Sequence, residues 1–249
     1  MRPSDEEILK QEEAIRMEIK GQTPLIGPLE PIDLLQDDYK EGNEKIYNKL
    51  LQLEAYQVRR VRGDGNCFFR AISYELIKQT PANARADLLN DINESYQQVS
   101  FDKMATDDFL EEFKGQLSKS RNLEEEWQKD EGCSHAVVVV LRLLTSAYLR
   151  LHSKDYEPFL CDYTDMTSYC QSQVECIGIE SEQIHITALS KALGAHITVY
   201  YVDSGSGDNI ETIEFTPDDE SKYQISLLYR PGHYDLLYSP LAIDNVASK

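Results

Sequence analysis

The residues best equipped for chemistry stand in the run R-G-D-G-N-C-F-F-R-A, Arg62 to Ala71. Gly63 and Gly65 flank Asp64, so the backbone there can take positive φ or lie close to a ligand. Asn66 suits an N-cap, and helical spacing begins directly after it, with Phe68, Phe69, Ile72 and Leu76 on one face. Cys67 is therefore expected in the first turn of a helix, preceded by a loop of free N–H groups. A helix N-terminus favours the thiolate, which is the nucleophilic form of cysteine. Lowering a thiol pKa from ~8.5 to ~6.5 takes roughly 2.7 kcal/mol of preferential thiolate stabilisation. The helix end supplies only part of this, so the chemistry calls for a cation nearby.

The candidate cation lies far along the chain, in S-L-L-Y-R-P-G-H-Y-D-L-L-Y. Pro231-Gly232 marks a turn between the apolar runs Ile225–Tyr229 and Tyr234–Tyr238, which together read as a β-hairpin. His233 and Asp235 are two residues apart on the returning strand and project to the same face. A carboxylate beside an imidazole holds it in one tautomer and stabilises its protonated form, as a Cys-His-Asp site requires. Taken singly, each half also reads as ordinary structure: a turn before a helix with a small buried cysteine, and a histidine on a strand. Together they point to nucleophilic catalysis.

D-G-N-C-F-F-R-A, the distal L-L-Y-R-P-G-H-Y-D-L-L-Y and the central L-R-L-L-T-S-A-Y-L together resemble the otubains, members of the ovarian-tumour (OTU) family of deubiquitinating cysteine proteases. The resemblance runs from the N-terminal arm to about Tyr238. It implies a papain-like OTU fold, with Cys67 as nucleophile, His233 as general base and Asp235 orienting the histidine. It also counts Asp64 with the catalytic residues and builds an oxyanion hole from the backbone N–H groups of Asp64, Gly65 and Cys67. The implied activity is hydrolysis of the bond after the C-terminal glycine of ubiquitin, with a preference for lysine-48-linked chains. Implied partners are ubiquitin, polyubiquitin and ubiquitin-conjugating enzymes, the last through the N-terminal arm. The alternative is a mainly non-catalytic protein that restrains those enzymes. No cofactor is expected.

The chain carries 44 acidic against 25 basic residues, a net charge of −19. That excludes the basic footprint of a nucleic-acid binder. An acidic rim would suit the arginines that precede ubiquitin's terminal Gly-Gly, although solubility alone also accounts for it. No metal site is expected, because Cys133, His135, Cys170 and Cys176 lack zinc-ligand spacing. G-D-G-N-C lacks the Lys-Ser/Thr of a phosphate-binding loop. An N-terminus without an apolar core and no evident membrane-crossing run argue against export or a membrane role. Five irregularly spaced cysteines fit a reducing compartment, the cytosol with the nucleus as an alternative.

A length of 249 residues allows one substantial domain or two small ones. Residues 5–20 read as a charged helix capped by Ser4. Pro24, Pro28 and Pro31 then break an apolar stretch into an extended arm lying on a surface. A helix is expected over Asn43–Leu53 and a strand over Tyr56–Val61, with Arg59, Arg60 and Arg62 neutralising nearby acids. Acidic helices follow between Ala84 and Trp127, one capped by Thr106, with Glu124, Glu125 and Glu126 as a solvated run. Val137–Leu151 predicts a buried helix beneath the one that carries Cys67. Glu182–Leu193 predicts another, ending at Gly194. Strands are expected at His196–Val202, Thr212–Phe215, Gln224–Tyr229 and Tyr234–Tyr238, with His185 and His196 structural. The expected class is α+β: an arm over 1–35, a catalytic domain over 36–240 with a largely antiparallel sheet, and a tail over 241–249.

Overall fold

The computed structural model describes residues 23–160, 163–205 and 207–240; the helix expected at 5–20 and the tail 241–249 lie outside them. Six strands form one sheet: β1 (Ile26–Pro31), β2 (Gln57–Val61), β3 (Ala195–Tyr201), β4 (Glu211–Phe215), β5 (Tyr223–Arg230) and β6 (His233–Tyr238), in the order β1-β2-β6-β5-β3-β4. Neighbours are antiparallel except β3 and β5, so the sheet is largely antiparallel, as expected. Side-chain alternation divides its two faces. Val58, Leu228 and Leu237 pack with Ile32, Leu35, Ile46 and Leu50, the last two from helix α1 (Glu44–Leu51). Val61, Leu227 and Leu236 point the other way, into the main core.

That core is built from α2 (Cys67–Gln79), α3 (Arg85–Gln98), α4 (Lys103–Ser118), α5 (Leu123–Lys129), α6 (Glu131–Leu151) and α7 (Gln183–Leu193). Helix α6 starts at Asp130, whose Oδ1 accepts the Gly132 N–H at 2.9 Å. Its valines favour a strand locally, but α2, α3, α4, α5 and α7 all pack on it and decide for a helix. Val137, Val138, Val140 and Leu141 are fully buried, each such side chain contributing about 1.5–3 kcal/mol. Contrary to the sequence reading, this helix is long and apolar enough to cross a membrane by length and composition. Its apolar surface is met by the protein's own helices, and that packing makes the rigid floor on which α2 rests.

Three local expectations are revised and one holds. The stretch after Pro24 becomes the edge strand β1, paired with β2, so residues 26–31 are integral to the sheet. Pro28 fits there because an edge strand tolerates a missing donor, and the register shifts between Ile26 and Leu29. Thr106 does not cap α4. Asp102 does, its carboxylate accepting the Met104 N–H at 2.9 Å, while the Thr106 hydroxyl bonds back to the Asp102 and Lys103 carbonyls. Glu124 is drawn from the solvated run into a bond from the Tyr74 hydroxyl and an ion pair with Arg59 at 3.4 Å. The arginines do neutralise acids: Arg60 pairs with Glu30 and Asp38, and Arg62 with Glu131.

Candidate active site

Strand β2 leads into residues 62–66, and α2 begins at Cys67. This loop is braced from several sides. Gly65 takes φ 77°, the left-handed conformation that favours glycine. Arg70 donates to both Asp64 carboxylate oxygens at 2.7 Å, and the Asn66 N–H donates to Asp64 Oδ1 at 3.1 Å. Burial would raise the Asp64 pKa, but these bonds and the Arg70 charge hold it below the usual carboxylate value. The Asp64 N–H is itself engaged, donating to the Arg62 carbonyl at 3.1 Å. Asp64 thus braces the loop, its carboxylate tied to Arg70 and its amide to Arg62. The amides of Gly65 and Cys67 have no partner among the described residues and remain available as donors. Asn66 holds the N-cap position without capping. Its Oδ1 instead accepts the Gly178 N–H and an Arg142 N–H, both at 2.9 Å.

The β5–β6 hairpin turns at Gly232, φ 71°, and pairs Arg230 with His233. Because β6 lies beside β2, its first residues come to the start of α2. The Tyr234 N–H donates to Cys67 Sγ at 3.4 Å, joining residues 167 positions apart. His233 Nε2 bonds Asp235 Oδ1 at 2.9 Å. Asp235 is wholly buried; Oδ1 also accepts the Val61 N–H at 2.8 Å, and Oδ2 accepts Arg230 Nε and Nη2 at 3.1 and 2.5 Å. A Cβ on Gly63 would stand 3.3 Å from His233 Nδ1, so that nitrogen faces the loop leading to Cys67. Burial alone would lower the imidazole's pKa, but the bonds to Asp235 and Cys67 push it up to about 9. Burial would likewise raise Asp235, and the bond to His233 with the charges of His233 and Arg230 hold it low. The imidazolium is the cation that the helix end alone could not provide.

Cys67 opens into a cavity of about 430 Å³ bounded by Ile179, Glu180, Glu182, Tyr201 and Tyr229. The other described cysteines stand in different surroundings. Burial, ahead of neighbouring acids, raises Cys133 to about 11, and burial raises Cys170 to about 11. Cys176 is exposed, and Cys161 lies outside the described residues. Arg142, Arg230 and Tyr234 lie inside the quoted motifs without a role read from them, and Glu180 lies in none. The nearest hint was an arginine within the apolar run of α6.

A family model described as Peptidase C65 Otubain matches residues 18–239. The chain belongs to the otubain family. This otubain is 33% identical over 251 residues to the human ubiquitin thioesterase OTUB1, covering 94% of this chain and 90% of the human one. It is also 33% identical to the ovarian tumor domain-containing deubiquitinating enzyme 1 of Arabidopsis thaliana, covering 94% and 85% of the two chains. A solved structure of h/ceOTUB1 with ubiquitin aldehyde and UBCH5B~Ub superposes with a TM-score of 0.82 at 27% identity, covering 94% and 97%. One of ceOTUB1 with ubiquitin aldehyde and UBC13~Ub gives 0.78 at 28% identity, covering 92% and 98%. The OTU fold and a cysteine-type deubiquitinase, both implied by the short motifs, stand.

Proposed function

We propose that this otubain is a thiol isopeptidase that cleaves the bond after ubiquitin's C-terminal glycine, with Cys67 as nucleophile, His233 as general base and acid, and Asp235 orienting the histidine. The observation that carries the reading is the meeting of Cys67, at the first turn of α2, with the His233–Asp235 pair on β6. The Cys67 sulfur attacks the glycine carbonyl, a C–S bond forms, and the C=O electron pair moves to oxygen. The Gly65 and Cys67 amides are the donors for that oxyanion. Collapse expels the lysine amine, which takes its proton from His233 Nδ1, while Nε2 stays on Asp235. Water, deprotonated at the same nitrogen, then releases the acyl group. Glu180 and Glu182 give the cavity the acidic character that suits the arginines preceding ubiquitin's Gly-Gly. The otubain resemblance adds a preference for lysine-48-linked chains.

The test is incubation with a ubiquitin probe bearing a thiol-reactive C-terminus, followed by a panel of defined di-ubiquitins. An adduct on Cys67 that disappears in Cys67→Ala and survives substitution of Cys133, Cys170 or Cys176 supports the site. An adduct on another cysteine overturns it. Faster cleavage of the lysine-48 linkage supports the preference, and equal cleavage of all linkages removes it.

A second role, restraint of ubiquitin-conjugating enzymes through the N-terminal arm, is favoured by the relatives solved with UBCH5B~Ub and UBC13~Ub. Because β1 belongs to the sheet, the truncation that tests it removes residues 1–22 and keeps Ile26–Pro31. Restraint should weaken in that truncation and persist in Cys67→Ala. Restraint that survives the truncation excludes the arm.

A further inference from the structure

Arg142 lies inside α6, 1% exposed, and its hydrogen bonds go to uncharged acceptors. Nη1 donates to the Val174 carbonyl at 3.0 Å. Nη2 donates to the Gly65 carbonyl at 3.0 Å, to Asn66 Oδ1 at 2.9 Å and to the Ile179 carbonyl at 2.7 Å. The guanidinium carbon stands 4.4 Å from the centre of the Phe69 ring. Burial lowers its pKa to about 10, so the group stays charged at neutral pH. A buried cation bonded to no carboxylate is expensive to keep, and a core position on α6 would otherwise suit an apolar side chain. What the cation holds explains its retention.

It holds one peptide of the nucleophile loop. The Gly65–Asn66 carbonyl points at Arg142, and the N–H of the same peptide points at the Asp64 carboxylate. Pinned at both ends, this peptide cannot rotate its carbonyl toward the reacting carbon, where an oxygen dipole would oppose the oxyanion. The neighbouring amides of Gly65 and Cys67 keep their aim in consequence. The same guanidinium holds Val174 and Ile179, and Ile179 bounds the cavity beside Cys67. Gly178 completes the joint. Its N–H donates to Asn66 Oδ1, and its carbonyl lies so close to Gly65 that a Cβ there would sit 2.1 Å from it.

We infer that Arg142 is a positioning residue for the reaction at Cys67, locking the Gly65–Asn66 peptide and the Val174–Ile179 wall in one register so that the loop presents donors to the oxyanion. The inference rests on the hydrolytic reading above. It predicts a loss confined to the transition state, with ground-state ubiquitin binding unchanged.

The test uses Arg142→Gln and Arg142→Lys in the full chain, each shown to be folded by circular dichroism. Turnover is measured on ubiquitin carrying a C-terminal fluorogenic amide, and inhibition with ubiquitin aldehyde. The aldehyde adds the Cys67 sulfur across its carbonyl and places the resulting oxygen where the oxyanion forms. Arg142→Gln should lower kcat by about 10²-fold, the range for a lost oxyanion donor, and weaken aldehyde inhibition in parallel. Arg142→Lys, a point charge that cannot span four acceptors, should fall between it and wild type. KM and ubiquitin affinity measured on a Cys67→Ala background should stay within about twofold in both variants, and the alkylation rate of Cys67 by iodoacetamide should do so in Arg142→Lys, which keeps the positive charge near the sulfur, since none of these needs an oxyanion donor. Unchanged kcat in the folded variants overturns the inference. So does a loss shared equally by ubiquitin affinity, or by alkylation in Arg142→Lys. Should neither Arg142 variant fold, Asn66→Ala decides: a drop of about tenfold in kcat with matching loss of aldehyde inhibition supports the lock, and wild-type values refute it. A wild-type protein that neither cleaves the substrate nor reacts with the aldehyde at Cys67 instead refutes the hydrolytic reading, and the inference falls with it.

Discussion

His233 stands at the start of β6 and His185 in the first turn of α7, each with its ring largely buried. Their partners drive them apart. His233 has a buried carboxylate on Nε2 and a sulfur as its other neighbour, and is pushed up to about 9. His185 has no carboxylate on its ring. Its Nδ1 accepts the Glu182 N–H at 3.0 Å, so Nε2 carries the proton and bonds the Tyr169 hydroxyl at 2.8 Å. Burial first, and the positive charge of Arg142 second, lower it to about 4. One ring is held in its charged form between a carboxylate and a sulfur, and the other is fixed as a neutral cap. Burial acts on both in the same direction, so the difference lies in whether the neighbours carry negative charge.

The comparison breaks most visibly on activity. His233→Ala should lower kcat/KM by ~10²–10⁴-fold, whereas His185→Gln, whose amide oxygen can still cap the Glu182 N–H, should stay within about threefold. Steady-state hydrolysis of a ubiquitin substrate measures both, and similar losses would show that the two rings are not functionally separate.

Stability against pH should follow with opposite signs. The folded pKa of His185 lies below its unfolded value, so between about 6.5 and about 4 the unfolded chain binds the extra proton. The fold should therefore weaken as pH falls through that window, by about 3 kcal/mol in all, and His185→Gln should remove that part of the dependence. His233 has a raised folded pKa, so its contribution is full below about 6.5 and is lost as pH rises through about 9. Urea unfolding of wild type and each variant at pH 4.5, 6.5 and 9.5 separates the two windows. An unaltered acid dependence in His185→Gln would remove the contrast.

A finer effect concerns Asp235. An amide oxygen can accept the same bond from His233 but stabilises the imidazolium less. Asp235→Asn should retain about tenfold more turnover than Asp235→Ala, with both above His233→Ala. Equal turnover in the two variants would deny Asp235 an orienting role. The smallest effect is steric. Gly63→Ala would set a methyl 3.3 Å from His233 Nδ1 and require the ring to give by a few tenths of an ångström. We expect kcat to fall by about tenfold or less with KM unchanged. Wild-type kcat there would mean that the ring tolerates displacement.

Much of the site was legible because it depends on short-range rules. A helix beginning after Asn66 places Cys67 in its first turn, and strand alternation puts His233 and Asp235 on one face whatever lies elsewhere in the chain. The Pro231-Gly232 hairpin and the Gly194 helix stop follow from backbone preferences of single residues. Asn66 shows where such rules lose authority. Its side chain is a good cap, yet Arg142 and Gly178, both remote in sequence, offer it stronger use.

The chain by itself therefore determined the proposed nucleophile, its proposed acid–base partner and the elements that carry them, since each rests on residues a few positions apart. Tertiary structure alone decided that Asp64 braces the loop through Arg70, that β1 joins the sheet, and that Tyr234 donates to the sulfur. It also decided that Arg142 would be a buried cation beneath the loop instead of one polar position in an apolar helix. Hydrogen-bond partners and burial across the sheet and core depend on which distant segments meet. A one-dimensional pattern carries no term for that meeting.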